Sequence, residues 1–286
     1  MVSSLIPPVR FFFMRRFLLV CFSSLLLTSC AAEPPKEQPA SSIPAPPSDA
    51  AFNQWLKGVK KEASSKGISK ATIDDALTGI AHDDRVIRLD RRQPETKLTL
   101  EEYLAKVISD QRINRGRELL AEHRALLEPI SQKYGVASEF IVALWGIETS
   151  YGNNTGSFSV IESLATLAYD GRRSQYFRGE LMNALRIIEE DHISAYAMEG
   201  SWAGAMGQCQ FMPSSFLAYA VDYNGDGKRD IWNTEADVFA SIANYLNQHG
   251  WNQDKENQFN VILKWNRSRY FATAVMQIAE RIKEGA

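Results

Sequence analysis

The chain has 286 residues, 45% of them hydrophobic and 23% charged, with a formal net charge of -2. Those proportions exclude a disordered polyelectrolyte and allow one large domain or two smaller ones around a sizeable core. The small negative balance also argues against nucleic acid as a partner.

In chain order, residues 1–29 contain Arg10, Arg15 and Arg16, no acidic residue, and then the apolar run FLLVCFSSLLL. That pattern is an export signal, and the run is shorter than the roughly 20 apolar residues a membrane-spanning helix needs. Met14 is an alternative start, because the charged, apolar and small-residue parts all follow it. The signal ends in LTSC, Leu27 to Cys30, which resembles the lipobox of bacterial lipoproteins and implies lipidation of Cys30. Ala31 follows the cysteine where resembling lipoproteins carry Asp for inner-membrane retention, which implies an outer membrane address facing the periplasm. Residues 30–50 are rich in Pro, Ala and Ser without apolar periodicity and read as a tether. Without residues 1–29 the net charge moves from -2 to -5. Only Cys209 then remains in the folded part, so neither a disulfide framework nor a CxxC site can form. The four histidines, His82, His123, His192 and His249, are scattered and make no HExxH.

From residue 51 the signal is helical. Phe52, Trp55, Leu56 and Val59 repeat on one face. Thr99 with Glu102, and Ser159 with Glu162, have capping-box spacing; Pro213 suits a first turn, and Gly135 and Gly250 suit helix stops. The pattern predicts helices over 51–66, 69–78, 99–134 with a break around Gly116, 138–148, 159–169, 174–191, 213–220, 235–248 and 269–283. NVIL at 260–263 is the best short strand candidate. The expected architecture is mainly α: a helical subdomain over 51–133, a core over 134–250, and a closing segment, 251–286, that packs back on the first part.

One acid stands out. In ALWGIETSYGN, Glu148 ends a run that otherwise reads as buried helix. If neighbours such as Trp145 cover it, desolvation should hold its proton near neutral pH and make it a proton donor. From this stretch alone, a surface glutamate at a helix end fits equally well.

Four stretches in order, VALWGIETSYGNNTG, VIESLATLAYDGRRSQYFRGELMNAL, GSWAGAMGQCQFMPSSFLAYAVDYNGDGKRDIW and ANYL, resemble the membrane-bound lytic murein transglycosylase B family. The resemblance implies a lysozyme-like helical core and a single catalytic acid, Glu148, with Thr149 after it. It implies cleavage of the bond between N-acetylmuramic acid and N-acetylglucosamine in peptidoglycan without water, leaving 1,6-anhydromuramyl ends. Hydrolytic glycosidases use two carboxylates, and Glu162 and Asp170 are the near candidates for a second. By the family pattern Ser201 and Gln210 line the cleft, Tyr245 is the cleft tyrosine, and Asn266 belongs to a late substrate-contacting segment. In that segment Trp265 and Phe271 stand where tyrosines are usual. Tyr151, Trp145, Trp202 and Phe158 could stack on sugars or lie in the core. Gly200, Gly204 and Gly207 are read as letting backbone approach a sugar, and Cys209 as a packing residue.

The chemistry needs no cofactor. DYNGDGKRD, however, starts like a calcium loop, with Asp222, Asn224 and Asp226 as ligands, the Lys228 carbonyl next, and closure by Glu235 or Asp237, of which Asp237 fits the resembling family better; turn-making residues with Asp237 as a helix cap are the alternative. The expected ion is a structural calcium or sodium. A lysozyme-type muramidase and a non-catalytic peptidoglycan-binding lipoprotein are the competing functions.

Overall fold

The computed structural model describes residues 49–92, 98–170 and 172–285. The export signal, Met14, Cys30 and nearly all of the tether lie outside the described residues.

α1 (Asp49–Ser65) buries Phe52, Leu56, Val59 and Ala63, a three- and four-residue spacing that makes one face. α2 (Lys70–Leu77) begins at Ser69, whose hydroxyl accepts from the Thr72 amide. α3 (Asp84–Arg91) has no counterpart among the expected helices. Its buried face is only Val86, Ile87 and Asp90 in a run of charges, so periodicity is faint there. Asp83 nevertheless caps it, accepting from the Arg85 amide at 2.7 Å.

The expected helix over 99–134 is three helices, α4 (Leu100–Val107), α5 (Asp110–Glu122) and α6 (Arg124–Tyr134). The breaks fall at Ile108–Ser109 and at His123, not at Gly116. Ser109 starts a new helix by accepting from the Arg112 amide at 3.2 Å, and this cap outweighs the continuing periodicity. Gly116 sits inside α5 because a Cβ there would meet Ile282 at 2.6 Å and the Tyr151 hydroxyl at 2.7 Å.

α7 (Ser138–Thr149) runs through the core, with Phe140 through Gly146 all buried. It stops where Ser150 and Tyr151 take left-handed φ values of 50° and 62°. After it, β1 (Phe158–Ser159) leads into α8 (Val160–Tyr169) and α9 (Ser174–Glu189), which pair closely. β2 (Glu199–Gly200) is antiparallel to β1, with Phe158 opposite Gly200. α10 (Pro213–Tyr219) packs on α9, and α11 (Glu235–Gln248) packs on α6 and α7.

The strand expected at 260–263 is instead part of α12 (Lys255–Trp265). Gln258, Val261 and Ile262 form its buried face at helical spacing, and Asp254 caps it by accepting from the Asn257 amide at 2.8 Å. α13 (Arg269–Lys283) then packs against α7, α5, α4 and α12. Among the described residues there are thirteen helices and two short strands, the mainly α class that the periodicity implies.

Candidate functional site

Glu148 occupies the last turn of α7 and is half-buried. The Trp265 indole Nε1, at the end of α12, donates to its Oε1 at 2.7 Å. Burial pushes the Glu148 carboxyl up to about 7, against a smaller opposing effect of the indole. No carboxylate among the described residues contributes to that shift. Of the two near acids, Asp170 pairs with Arg91 at 3.0 Å. Glu162 accepts from the Ala81 amide at 3.3 Å, so its side chain does not turn back to complete the expected capping box, although Ser159 does accept from the Glu162 amide at 3.3 Å.

The indole is itself wedged. Its ring meets Tyr245 edge-on at 4.7 Å and Phe211 tilted at 5.2 Å. Tyr245 stacks on His249 and donates its hydroxyl to the Lys264 carbonyl at 2.8 Å. Its hydroxyl is therefore occupied by the backbone next to Trp265, and burial pushes its pKa up to about 12. Tyr245 thus braces the partner of Glu148 from inside the core, at 7% exposure. Asn266 ends α12 on the exposed side, its Oδ1 accepting from the Ser268 amide at 3.0 Å.

Tyr151 lies elsewhere. Its hydroxyl donates to the Arg112 carbonyl at 2.7 Å, and its ring meets Trp145 edge-on at 5.5 Å. It locks α7 to α5, and its burial pushes the hydroxyl up to about 12. Trp145 is core as well, donating to Gln208 Oε1 at 2.7 Å. Trp202 and Phe158 are half-buried, and Arg85 lies over the Phe158 ring at 5.3 Å.

The glycines of GSWAGAMGQCQF serve the protein's own packing. A Cβ at Gly200 would meet the Ala205 carbonyl oxygen at 2.2 Å, at Gly204 the Leu164 side chain at 2.4 Å, and at Gly207 Ile231 at 2.7 Å. Their missing side chains thus let the loop close on itself at Gly200, on α8 at Gly204 and on Ile231 at Gly207. Ser201 Oγ accepts from the Ala205 amide at 3.0 Å. Gln210, at φ 51°, donates to the Thr155 and Gly207 carbonyls at 3.0 Å each. Cys209 is fully buried with its thiol on the Val238 carbonyl at 3.6 Å; burial, then the charges of Glu148 and Asp237, push it up.

Sequence reasoning missed three contributors. Tyr103 on α4 is close enough to Glu148 to feel its charge, which adds to burial in raising the phenol. Tyr270 on α13 lies 5.9 Å from the Tyr103 ring and is 37% exposed. Gln208 ties the loop to α7: its carbonyl accepts from Thr149 Oγ1 at 3.0 Å, and its amide donates to the Trp232 carbonyl at 2.8 Å. Of these, Tyr270 lay near the marked Trp265 and Asn266, and Gln208 lay inside the GSWAGAMGQCQF stretch without being singled out; Tyr103 lay in neither.

In the 222–237 loop the acidic side chains accept backbone amides. Asp222 takes those of Gly225 at 2.7 Å and Gly227 at 2.8 Å, and Asp226 takes that of Lys228 at 2.8 Å. Asn224 donates to Asp226 at 2.9 Å. Asp237 is fully buried, its oxygens accepting from Tyr223 and Asp230 at 2.8 Å each; burial raises its carboxyl despite these bonds. No cluster of three or more His, Cys, Asp or Glu suited to a metal occurs among the described residues. Among those residues, too, no helix is long and apolar enough to cross a membrane.

Residues 51–258 match the Transglycosylase SLT domain family. The chain is 34% identical over 203 residues to membrane-bound lytic murein transglycosylase B of Escherichia coli (strain K12), covering 68% of this chain and 56% of that relative. The SltB3 structures from Pseudomonas aeruginosa, in complex with NAG-NAM-pentapeptide and with NAG-anhNAM-pentapeptide, match at 33% identity and a TM-score of 0.78, over 81% of this chain and 79% of theirs. The Escherichia coli lytic transglycosylase Slt35 in complex with calcium matches at 26% identity and a TM-score of 0.72, over 83% of this chain and 94% of that one. The core is accordingly of the lysozyme-like kind that the sequence resemblance implies.

Proposed function

The chain belongs to the Transglycosylase SLT domain family, and from that membership and the half-buried acid at position 148 we propose that it is a lytic transglycosylase acting on peptidoglycan. The chain spans 56% of the length of the curated relative it matches, and the activity is proposed for the chain as it stands. The observation that carries the reading is Glu148, raised to about 7 with no carboxylate among the causes of the shift.

A protonated carboxyl can give its proton to the glycosidic oxygen as the bond from the muramyl anomeric carbon breaks. The resulting carboxylate then takes the proton of the muramyl C6 hydroxyl as that oxygen attacks the same carbon. One acid, used twice, leaves a 1,6-anhydro ring and consumes no water. The substrate's own N-acetyl group stabilises the positive anomeric centre, which removes the need for the second carboxylate of hydrolytic enzymes.

In this reading Ser201, Gln210 and Asn266 border the substrate path, with Tyr103 and Tyr270 on the opposing helices, while Tyr245 and Tyr151 support it from the core. The division into 51–133, 134–250 and 251–286 belongs to the same proposal: α13, from the last segment, touches helices of both others. The lipobox-like Cys30 would anchor the chain in the outer membrane, facing the periplasm, where several acyl chains hold more firmly than one. Catalysis calls on no metal. The oxygens of Asp222, Asn224, Asp226, Asp237 and the Lys228 carbonyl are the hard-donor type that calcium prefers, so the loop would take calcium weakly, as a brace.

Mass spectrometry of muropeptides released from purified sacculi tests the reading. Products lighter by one water than reducing muropeptides are expected. Reducing ends would mean a muramidase, and a folded chain that binds sacculi and releases nothing would mean a binding lipoprotein.

A further inference from the structure

The two oxygens of Glu148 have different surroundings. Oε1 accepts the Trp265 indole N–H at 2.7 Å. Oε2 has no protein partner among the described residues, yet it is absent from the side-chain atoms that are both sealed from solvent and unpartnered, which are His82 Nε2 and Trp251 Nε1. Oε2 is therefore open to whatever enters the site.

We infer that Trp265 is a positioning residue that fixes which oxygen of Glu148 works: the indole keeps Oε1 as an acceptor, and the proton leaves from and returns to Oε2. The inference rests on the reading of Glu148 as the acid given above. An indole has one N–H and no lone pair to offer. It cannot receive a hydrogen bond from a protonated carboxyl, so the neutral acid keeps the indole bond best through its carbonyl oxygen, the stronger acceptor of the two. With Oε1 in that role, the hydrogen sits on the open oxygen. A phenol in its place would both donate and accept and would leave the choice free.

The indole has little freedom to turn away. Tyr245 and Phe211 meet its ring at 4.7 and 5.2 Å, and the Tyr245 hydroxyl bonds the carbonyl of Lys264, the residue before Trp265. In the first half-reaction the Oε2–H bond breaks, the proton goes to the glycosidic oxygen, and that oxygen leaves the anomeric carbon. In the second the C6 hydroxyl proton returns to Oε2 as the C6 oxygen bonds to the anomeric carbon. Between the two the charge on Glu148 is held by a charge-assisted indole bond, stronger than the same bond to the neutral acid.

The experiment follows the Trp265 indole N–H and the Glu148 carboxyl carbon by NMR against pH in the full chain and in Glu148→Gln, alongside cleavage assays of Trp265→Phe and Trp265→Tyr. The indole resonance should move with the midpoint of the Glu148 carboxyl and stand still in Glu148→Gln, a comparison that does not depend on how Trp265→Phe folds. Trp265→Phe should lower kcat by about tenfold to a hundredfold, leave KM within about twofold because the indole faces the acid and not the substrate, and move the alkaline limb of the pH profile upward. Trp265→Tyr, which can still donate, should recover part of kcat. An indole resonance that ignores the ionisation of Glu148, or a Trp265→Phe profile with an unmoved limb, overturns the inference. Full cleavage by Glu148→Gln would instead overturn the reading of Glu148 as the acid.

Discussion

At the scale of the residue, the decisive quantity is the free energy of ionising Glu148. Its carboxyl is raised by burial from 4.5 to about 7, so the folded protein keeps a proton that the unfolded chain has already lost. Between those two values stability falls as pH rises, and above about 7 the loss is complete. Glu148→Gln does not titrate. Chemical denaturation from pH 4 to 8 should show that variant gaining on the wild type across this window, by at most about 3 kcal/mol; parallel curves would mean the carboxyl is not raised. The same proton sets the pH dependence of activity. Initial rates of strand cleavage should fall with an alkaline midpoint near 7, because only the neutral acid can donate. Glu148→Gln should lose cleavage by a factor on the order of a thousand or more while still binding sacculi, since a general acid contributes about 10²–10⁴-fold and here serves twice.

Elements show where local pattern and tertiary contact disagree. Gly116 looked like a break and is instead a point of close approach, while the real breaks fall at Ser109, whose hydroxyl caps α5, and at His123, which makes no side-chain cap. The NVIL run looked like a strand but lies on a helix whose buried face is set by Gln258, Val261 and Ile262. A four-residue apolar run cannot distinguish the two periods, and here the cap at Asp254 and the core beneath decide. The contact of α7 with the tyrosine that follows it is tight: a Cβ at Gly146 would lie 2.5 Å from the Tyr151 ring. Gly146→Ala should therefore cost about 1–3 kcal/mol despite the better helix propensity of alanine. Thermal unfolding should show a drop of several degrees, and adding Tyr151→Leu should return part of it. An unchanged Tm would mean the ring moves freely.

Across the whole molecule, the site is assembled by the end of the chain. Glu148 comes from α7, its partner Trp265 from α12, and the neighbouring Tyr103 from α4, with α13 packed against all three of these helices. Truncation after residue 250 should remove both the indole and the cover of α7, giving a protein without a sharp thermal transition; a truncated chain that unfolds cooperatively and cleaves would refute this dependence. If the 222–237 loop takes calcium, calcium at about a hundred times Kd should add about 2.7 kcal/mol of stability. Asp222→Asn with Asp226→Asn should abolish that gain, and a wild-type Tm indifferent to calcium would remove the metal from the proposal.

The amino-acid sequence by itself determined the helical class, most helix positions, the position of Glu148 at the end of an apolar helix, and through resemblance the family. These follow from periodicity, caps and contiguous motifs, all of which act over a few residues. Only the tertiary structure decided that Glu148 is covered, that an indole 117 residues away holds its Oε1, that Tyr151 and Tyr245 serve the core, and that the motif glycines let their loop close on Ala205, Leu164 and Ile231. Burial and hydrogen-bond partners depend on chain segments far apart in sequence, and no local pattern encodes the distance between them.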